Sequence, residues 1–71
     1  MLIRETLPDV SKRYKTELSA SIAAQDLSNR YRDWFIYVCY NYAGFWAIDY
    51  LGIKYSDEKI VSTFYRGEKT L

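Results

Sequence analysis

Trp34-Phe35-Ile36-Tyr37-Val38-Cys39-Tyr40-Asn41-Tyr42 carries no charge and a single amide, and how this run folds decides what the rest of the chain can be. Aromatic and β-branched side chains fit the pleated surface of a strand. Read as a strand, Trp34, Ile36, Val38 and Tyr40 share one face, while Phe35, Tyr37, Cys39 and Asn41 share the other. Two similar runs follow: Phe45-Trp46-Ala47-Ile48-Asp49-Tyr50-Leu51 after Ala43-Gly44, and Ile60-Val61-Ser62-Thr63-Phe64-Tyr65 after Tyr55-Ser56-Asp57-Glu58-Lys59. The second break reads as a hairpin loop. Strands are therefore expected at about 33–42, 45–55 and 60–66, joined as a three-stranded antiparallel meander.

Upstream, Val10, Tyr14, Leu18 and Ile22 recur every four residues, and Leu27 and Tyr31 continue the stripe after a one-residue offset. This is the helical period. Lys12, Arg13, Lys15, Glu17 and Asp26 fall mostly off the stripe, and Ala20, Ala23 and Ala24 favour helix. A helix over about 9–31 is predicted, with Pro8 at its approach and Asp9 or Ser11 as its cap. The fold class is then α+β, an N-terminal helix covering one face of the sheet within a single small domain. An all-α three-helix bundle competes. Arg30, Asp33, Tyr37, Asn41 and Gly44 could share one helix face, Ser56-Asp57-Glu58 would suit a helix start, and Gly67 would suit a stop.

A chain of 71 residues buries only about 60% of its unfolded surface. Small folds often make up that deficit with disulfides or metals. Cys39 is the only cysteine and there is no histidine, so an internal disulfide is impossible and a structural zinc has no ligand set. Aromatic side chains, 18% of the chain, are the remaining resource, since each buries roughly 150–250 Å². The formal net charge of +1 argues against a strongly basic nucleic-acid binder and an acidic mimic alike. Arg4-Glu5 interrupts the N-terminal apolar residues where a signal peptide would continue, and a lone reduced thiol suits a reducing compartment. A cytoplasmic protein is expected, in the host cell if the chain is phage-encoded. Trp34 to Ile53 matches a membrane span in length, but Tyr37, Tyr40, Tyr42 and Tyr50 prefer the bilayer interface and Asp49 would be costly inside it.

Catalytic chemistry has little to stand on. The commonest general base is missing, and nothing near Cys39 in sequence would activate it, so it reads as a small buried hydrophobe. Asp33 and Asp49 read as an element end and a solvent-facing position rather than as a carboxylate pair. Gly44 and Gly52 match no phosphate-binding loop and read as turn or bulge residues. No enzyme activity, cofactor or metal is expected.

One helix cannot shelter both faces of a sheet so rich in rings. A tyrosine-rich face should stay open unless a partner covers it, and large exposed aromatic patches mark interaction sites. The expected function is protein binding without catalysis, as an inhibitor or modulator of a larger machine of the kind small phage-encoded domains act on. Trp34, Tyr37, Tyr40, Trp46 and Tyr50 are the expected contact residues, with a homodimer as the expected free state. The alternative is an interface for single-stranded nucleic acid or DNA. Rings on a sheet can stack bases, and Lys54, Lys59, Arg66 and Lys69 lie near the third strand, although Asp57, Glu58 and Glu68 sit among them. A helix-turn-helix around Leu51-Gly52-Ile53 would place acids where phosphates bind.

Overall fold

A computed structural model describes residues 10–41, 43–55 and 57–70. The readings that rest on Met1–Glu5, Pro8, Asp9, Tyr42 and Ser56 lie outside the described residues. The elements in chain order are β1 (Arg13–Tyr14), α1 (Glu17–Arg30), β2 (Phe35–Asn41), β3 (Phe45–Leu51), β4 (Ile60–Tyr65) and β5 (Glu68–Lys69). The fold is α+β, one helix with a five-stranded antiparallel sheet. The all-helical alternative is not what forms: Phe35–Asn41 and Phe45–Leu51 make a strand pair rather than a helix. No helix among the described residues is long and apolar enough to cross a membrane.

The helix begins at Glu17, not near residue 9. Its cap is Thr16, whose side chain accepts the Ser19 N–H at 3.1 Å, which satisfies one of the orphan donors of the first turn. Ser11 lies before β1 and is not the cap. Arg13 and Tyr14 instead pair with Ala47 and Trp46 on the edge of β3. The expected stripe misled because a four-residue spacing places side chains together on a strand as well as on a helix. The buried face of α1 is Ala20, Ala24, Leu27 and Ser28, and Leu18 and Ile22 point to solvent. Alanines let the helix axis approach the sheet closely, over a core of Ile36, Val38, Ile48 and Phe64.

The strands are not a meander. Their order is β1-β3-β2-β4-β5, so β2 is the central strand, and β3 and β4, both antiparallel to it, run parallel to each other. Three successive residues of β2, Ile36, Tyr37 and Val38, are buried, as a strand covered on both faces requires. Ala43 and Gly44 form a turn before β3, where Gly44 takes φ +91°, and β3 ends at Leu51, short of the expected 55. The chain must then return along the sheet. Leu51 lies level with Phe35, and Ile60 with Cys39. That is about 14 Å back along the strands and about 9.5 Å across them. Residues 52–59 can reach about 26–29 Å when extended, enough to cross β2 on a diagonal. This crossing segment, the strap, stands where a strand end to residue 55 and a hairpin loop over 55–59 are expected from the sequence.

The strap crosses the face opposite the helix. Ile36 and Val38 point toward α1, so Tyr37 points away from it. The Tyr37 hydroxyl donates to the Ile53 carbonyl at 2.7 Å, and its ring meets the Tyr55 ring edge-on at 5.8 Å. The far end of the sheet is held by a two-residue turn. Arg66 (φ 54°) and Gly67 (φ 83°) both take the left-handed conformation, which a type I′ hairpin needs at its two central positions. α1 grips this turn. The Ser28 hydroxyl accepts the Gly67 N–H at 2.9 Å, and Gln25 Nε2 donates to the Gly67 carbonyl at 2.9 Å. A Cβ on Gly67 would meet the Asn29 side chain at 3.0 Å. Gly67 thus serves a hairpin, not a helix stop.

Candidate functional site: the strap and its cleft

The expected contact residues do not share one face. Trp34, Tyr40, Trp46 and Tyr50 lie on the helix side of the sheet, the side of Ile36, Val38 and Ile48. They form two edge-on pairs, Trp34 with Tyr50 and Tyr40 with Trp46, each with ring centroids 4.9 Å apart. These pairs flank the alanine-lined centre of the core; Trp34, Trp46 and Tyr50 are half-buried and Tyr40 is exposed. Tyr37 stands alone on the other face and is 1% exposed. The expected open tyrosine face is therefore corrected: of the described aromatic residues, only Tyr40 and Tyr55 are exposed.

The rings opposite the helix are sheltered by devices that carry no helical signature. The strap covers Tyr37. At one end, Phe35 and Tyr65 stack at 4.2 Å, and the Arg66 guanidinium lies over Tyr65 at 5.1 Å. At the other, Arg13 lies over Phe45 at 4.6 Å. Guanidinium faces are weakly hydrated and settle on aromatic rings, so two arginines and a strap do what a second helix would have done.

The cations of the nucleic-acid alternative do not converge. Lys54 sits on the strap and Lys59 just before β4, whereas Arg66 lies in the turn past its far end and Lys69 on β5 level with Phe64. The six residues of β4 put about 20 Å between Lys59 and Arg66. Arg66 is also held by its ring contact and by a bond from its Nε to the Arg32 carbonyl at 3.2 Å.

Beside the strap lies a cleft of about 200 Å³. Buried Tyr37 and half-buried Cys39 and Ile60 form its inner wall; Leu51, Asp49, Tyr55, Asp57 and Lys59 surround its mouth. Asp57 organises the strap here. Its Oδ1 accepts the Lys59 N–H at 2.9 Å and its Oδ2 accepts the Tyr55 hydroxyl at 3.0 Å. Those two bonds, to the Lys59 backbone first, hold its carboxyl below the ordinary aspartate range, and the carboxylate in turn pushes the Tyr55 phenol up. The Cys39 thiol is raised by burial and then by the Asp49 and Asp57 carboxylates, against Lys59. A thiol so placed stays protonated and is a poor nucleophile. Asp33 precedes β2 while Asp49 lies level with Tyr37, so the two carboxylates are not brought together. Among the described residues, no group of three His, Cys, Asp or Glu could hold a metal ion.

Among the described residues, exposed large apolar side chains are Leu51, Ile53 and Tyr55 on the strap and its start, with Ile53 69% exposed, Leu18 and Ile22 on α1, Tyr40 on β2 and Val61 on β4. Strap residues were missed as site residues because Ile53 reads as the end of a strand and Tyr55 as part of a polar loop. The available signal was the pair of apolar residues alternating with Lys54 inside a connection. Comparison with protein-family models, curated proteins and solved structures finds no match, so function is read from this chain's own residues.

Proposed function

We propose that the protein is a non-enzymatic protein-binding module whose contact surface is the strap, centred on Ile53 and Tyr55, rather than an open sheet face. The observation that carries this reading is that Leu51, at the end of β3, and Ile53 and Tyr55, on the strap, are exposed at alternate positions of one short stretch. Burying them against a partner would recover about 25 cal/mol for each Å² of apolar area removed from water. The strap is held in shape before any partner arrives, by the Tyr37–Ile53 bond and the Asp57 bonds, and preorganisation lowers the ordering cost of binding. Leu18 and Ile22, neighbours one turn apart on α1, are at least as exposed, but they stand among Glu17, Ser19, Gln25 and Asp26, whereas Leu51 and Tyr55 also line the cleft.

Affinity capture from the cells in which the protein is made, followed by titration with the captured partner, tests this. Ile53→Glu places a charge at the centre of the contact and is expected to weaken binding about 30-fold or more, the effect of losing a hot-spot residue. Its melting temperature should stay within a few degrees of the wild type, because the side chain is exposed and only the Ile53 backbone carbonyl bonds Tyr37. Leu18→Glu is expected to bind as the wild type does. Equal binding by Ile53→Glu and the wild type would overturn the proposal.

A further inference from the structure

Resting on the protein-binding reading, we propose that the cleft beside the strap receives an arginine side chain of the partner protein. Size limits the occupant first. At about 200 Å³ the cleft falls below the roughly 300–1,000 Å³ of sites that enclose a whole small molecule, which leaves room for a single long side chain. Its walls then select the chemistry. The inner surface is aromatic and apolar, from Tyr37, Ile60 and the Cys39 side chain, and suits an aliphatic stem. The mouth carries two carboxylates, Asp49 and Asp57, against one ammonium, Lys59, so its net charge favours a cationic head.

Asp49 has acceptor capacity for either cationic head, and two further features favour guanidinium over ammonium. Asp49 uses Oδ1 for the Tyr50 N–H at 2.8 Å, and a carboxylate has acceptor sites beyond one such bond. Tyr55 stands at the mouth beside Asp57, pairing a ring face with an anion, the combination on which a planar guanidinium both stacks and donates. The same face of the sheet already holds two arginines on rings, Arg13 on Phe45 and Arg66 on Tyr65. The field inside the cleft has the sign this requires, because both carboxylates disfavour a negative charge on Cys39 and only Lys59 opposes them.

The test is a titration of the full ¹⁵N-labelled chain with N-acetyl-arginine methylamide, using the neutral, nearly isosteric citrulline compound as control. The arginine probe should shift the amide resonances of Cys39, Asp49 and Lys59 and bind at least about threefold more tightly than citrulline. Asp49→Asn, which keeps an oxygen for the Tyr50 N–H, should remove most of that preference, as expected for one exposed ion pair. Equal shifts from both probes, shifts confined to residues outside the cleft, or an Asp49→Asn variant with undiminished preference would each overturn the proposal. The two readings fail separately. If Ile53→Glu loses the partner while the arginine probe shows no preference, the strap binds without an arginine and only this inference falls. If the probe enters selectively but Ile53→Glu still holds its partner, the strap reading falls.

Discussion

Tyr37→Ala should unfold most of the protein at room temperature, although this residue lies on the sheet face that has no helix. Its ring is enclosed by β2, its neighbours in β3 and β4, and the strap. Removing an aromatic side chain from such a site costs about 3–5 kcal/mol, against total stabilities of about 5–15 kcal/mol for domains in general and less to spare in a chain this short. Tyr37→Phe separates the two contributions. It keeps the ring and deletes only the bond to the Ile53 carbonyl, leaving a shielded acceptor unpaired, at about 1–2 kcal/mol. At about 4–8 °C per kcal/mol for a domain of this size, that variant remains folded with a clearly lowered melting temperature. Thermal unfolding followed by circular dichroism checks both. A Tyr37→Ala protein that melts within a few degrees of the wild type would mean that the strap does not cover the sheet.

Ala24→Leu should be the most damaging of three changes that a helical-wheel reading ranks the other way. Ala24 is 0% exposed and lies where α1 presses on the sheet, so added methylenes must displace the helix or its neighbours. Overpacking of this kind costs about 1–3 kcal/mol, and the Thr16 cap and the Ser28 and Gln25 bonds to Gly67 leave the helix little freedom to shift. By contrast, Leu18→Ser and Ile22→Ser remove side chains that are 70% and 61% exposed, and each is expected to change stability by no more than about 0.5 kcal/mol. Denaturant titration of the three variants gives the comparison. A tolerated Ala24→Leu together with costly losses at Leu18 and Ile22 would return the buried face to the four-residue stripe.

Element types were legible in this sequence, and their arrangement largely was not. The run from Phe35 to Asn41 announces a strand because ring and β-branched side chains fill both of its faces. The same fact held the unread clue to its central place: β3 carries Asp49 and β2 carries no charge. Strand order depends on a connection, and Ser56-Asp57-Glu58-Lys59 is as compatible with a tight hairpin as with a segment crossing a third strand. Only chain reach and the burial of Tyr37 separate the two. The helix was legible as a helix, but Val10 and Tyr14 were assigned to it because their spacing satisfies both periodicities. The candidate site was the least legible part. Counting rings overstated the exposed aromatic surface, since Arg13 shelters Phe45 and Phe35 stacks on Tyr65 through contacts far apart in sequence. Ile53 and Tyr55 acquire their positions from the strap's path over β2.

The path of the chain around β2 is most directly tested by nuclear Overhauser contacts in the folded protein. Tyr37 should show cross-strand backbone contacts to both Asp49 and Thr63, its register partners on either side, and ring contacts to Tyr55. Direct backbone contacts between residues 45–51 and 60–65, with none from Tyr37 to Thr63, would establish β3 as the middle strand and contradict the strap, the cleft and the binding surface together.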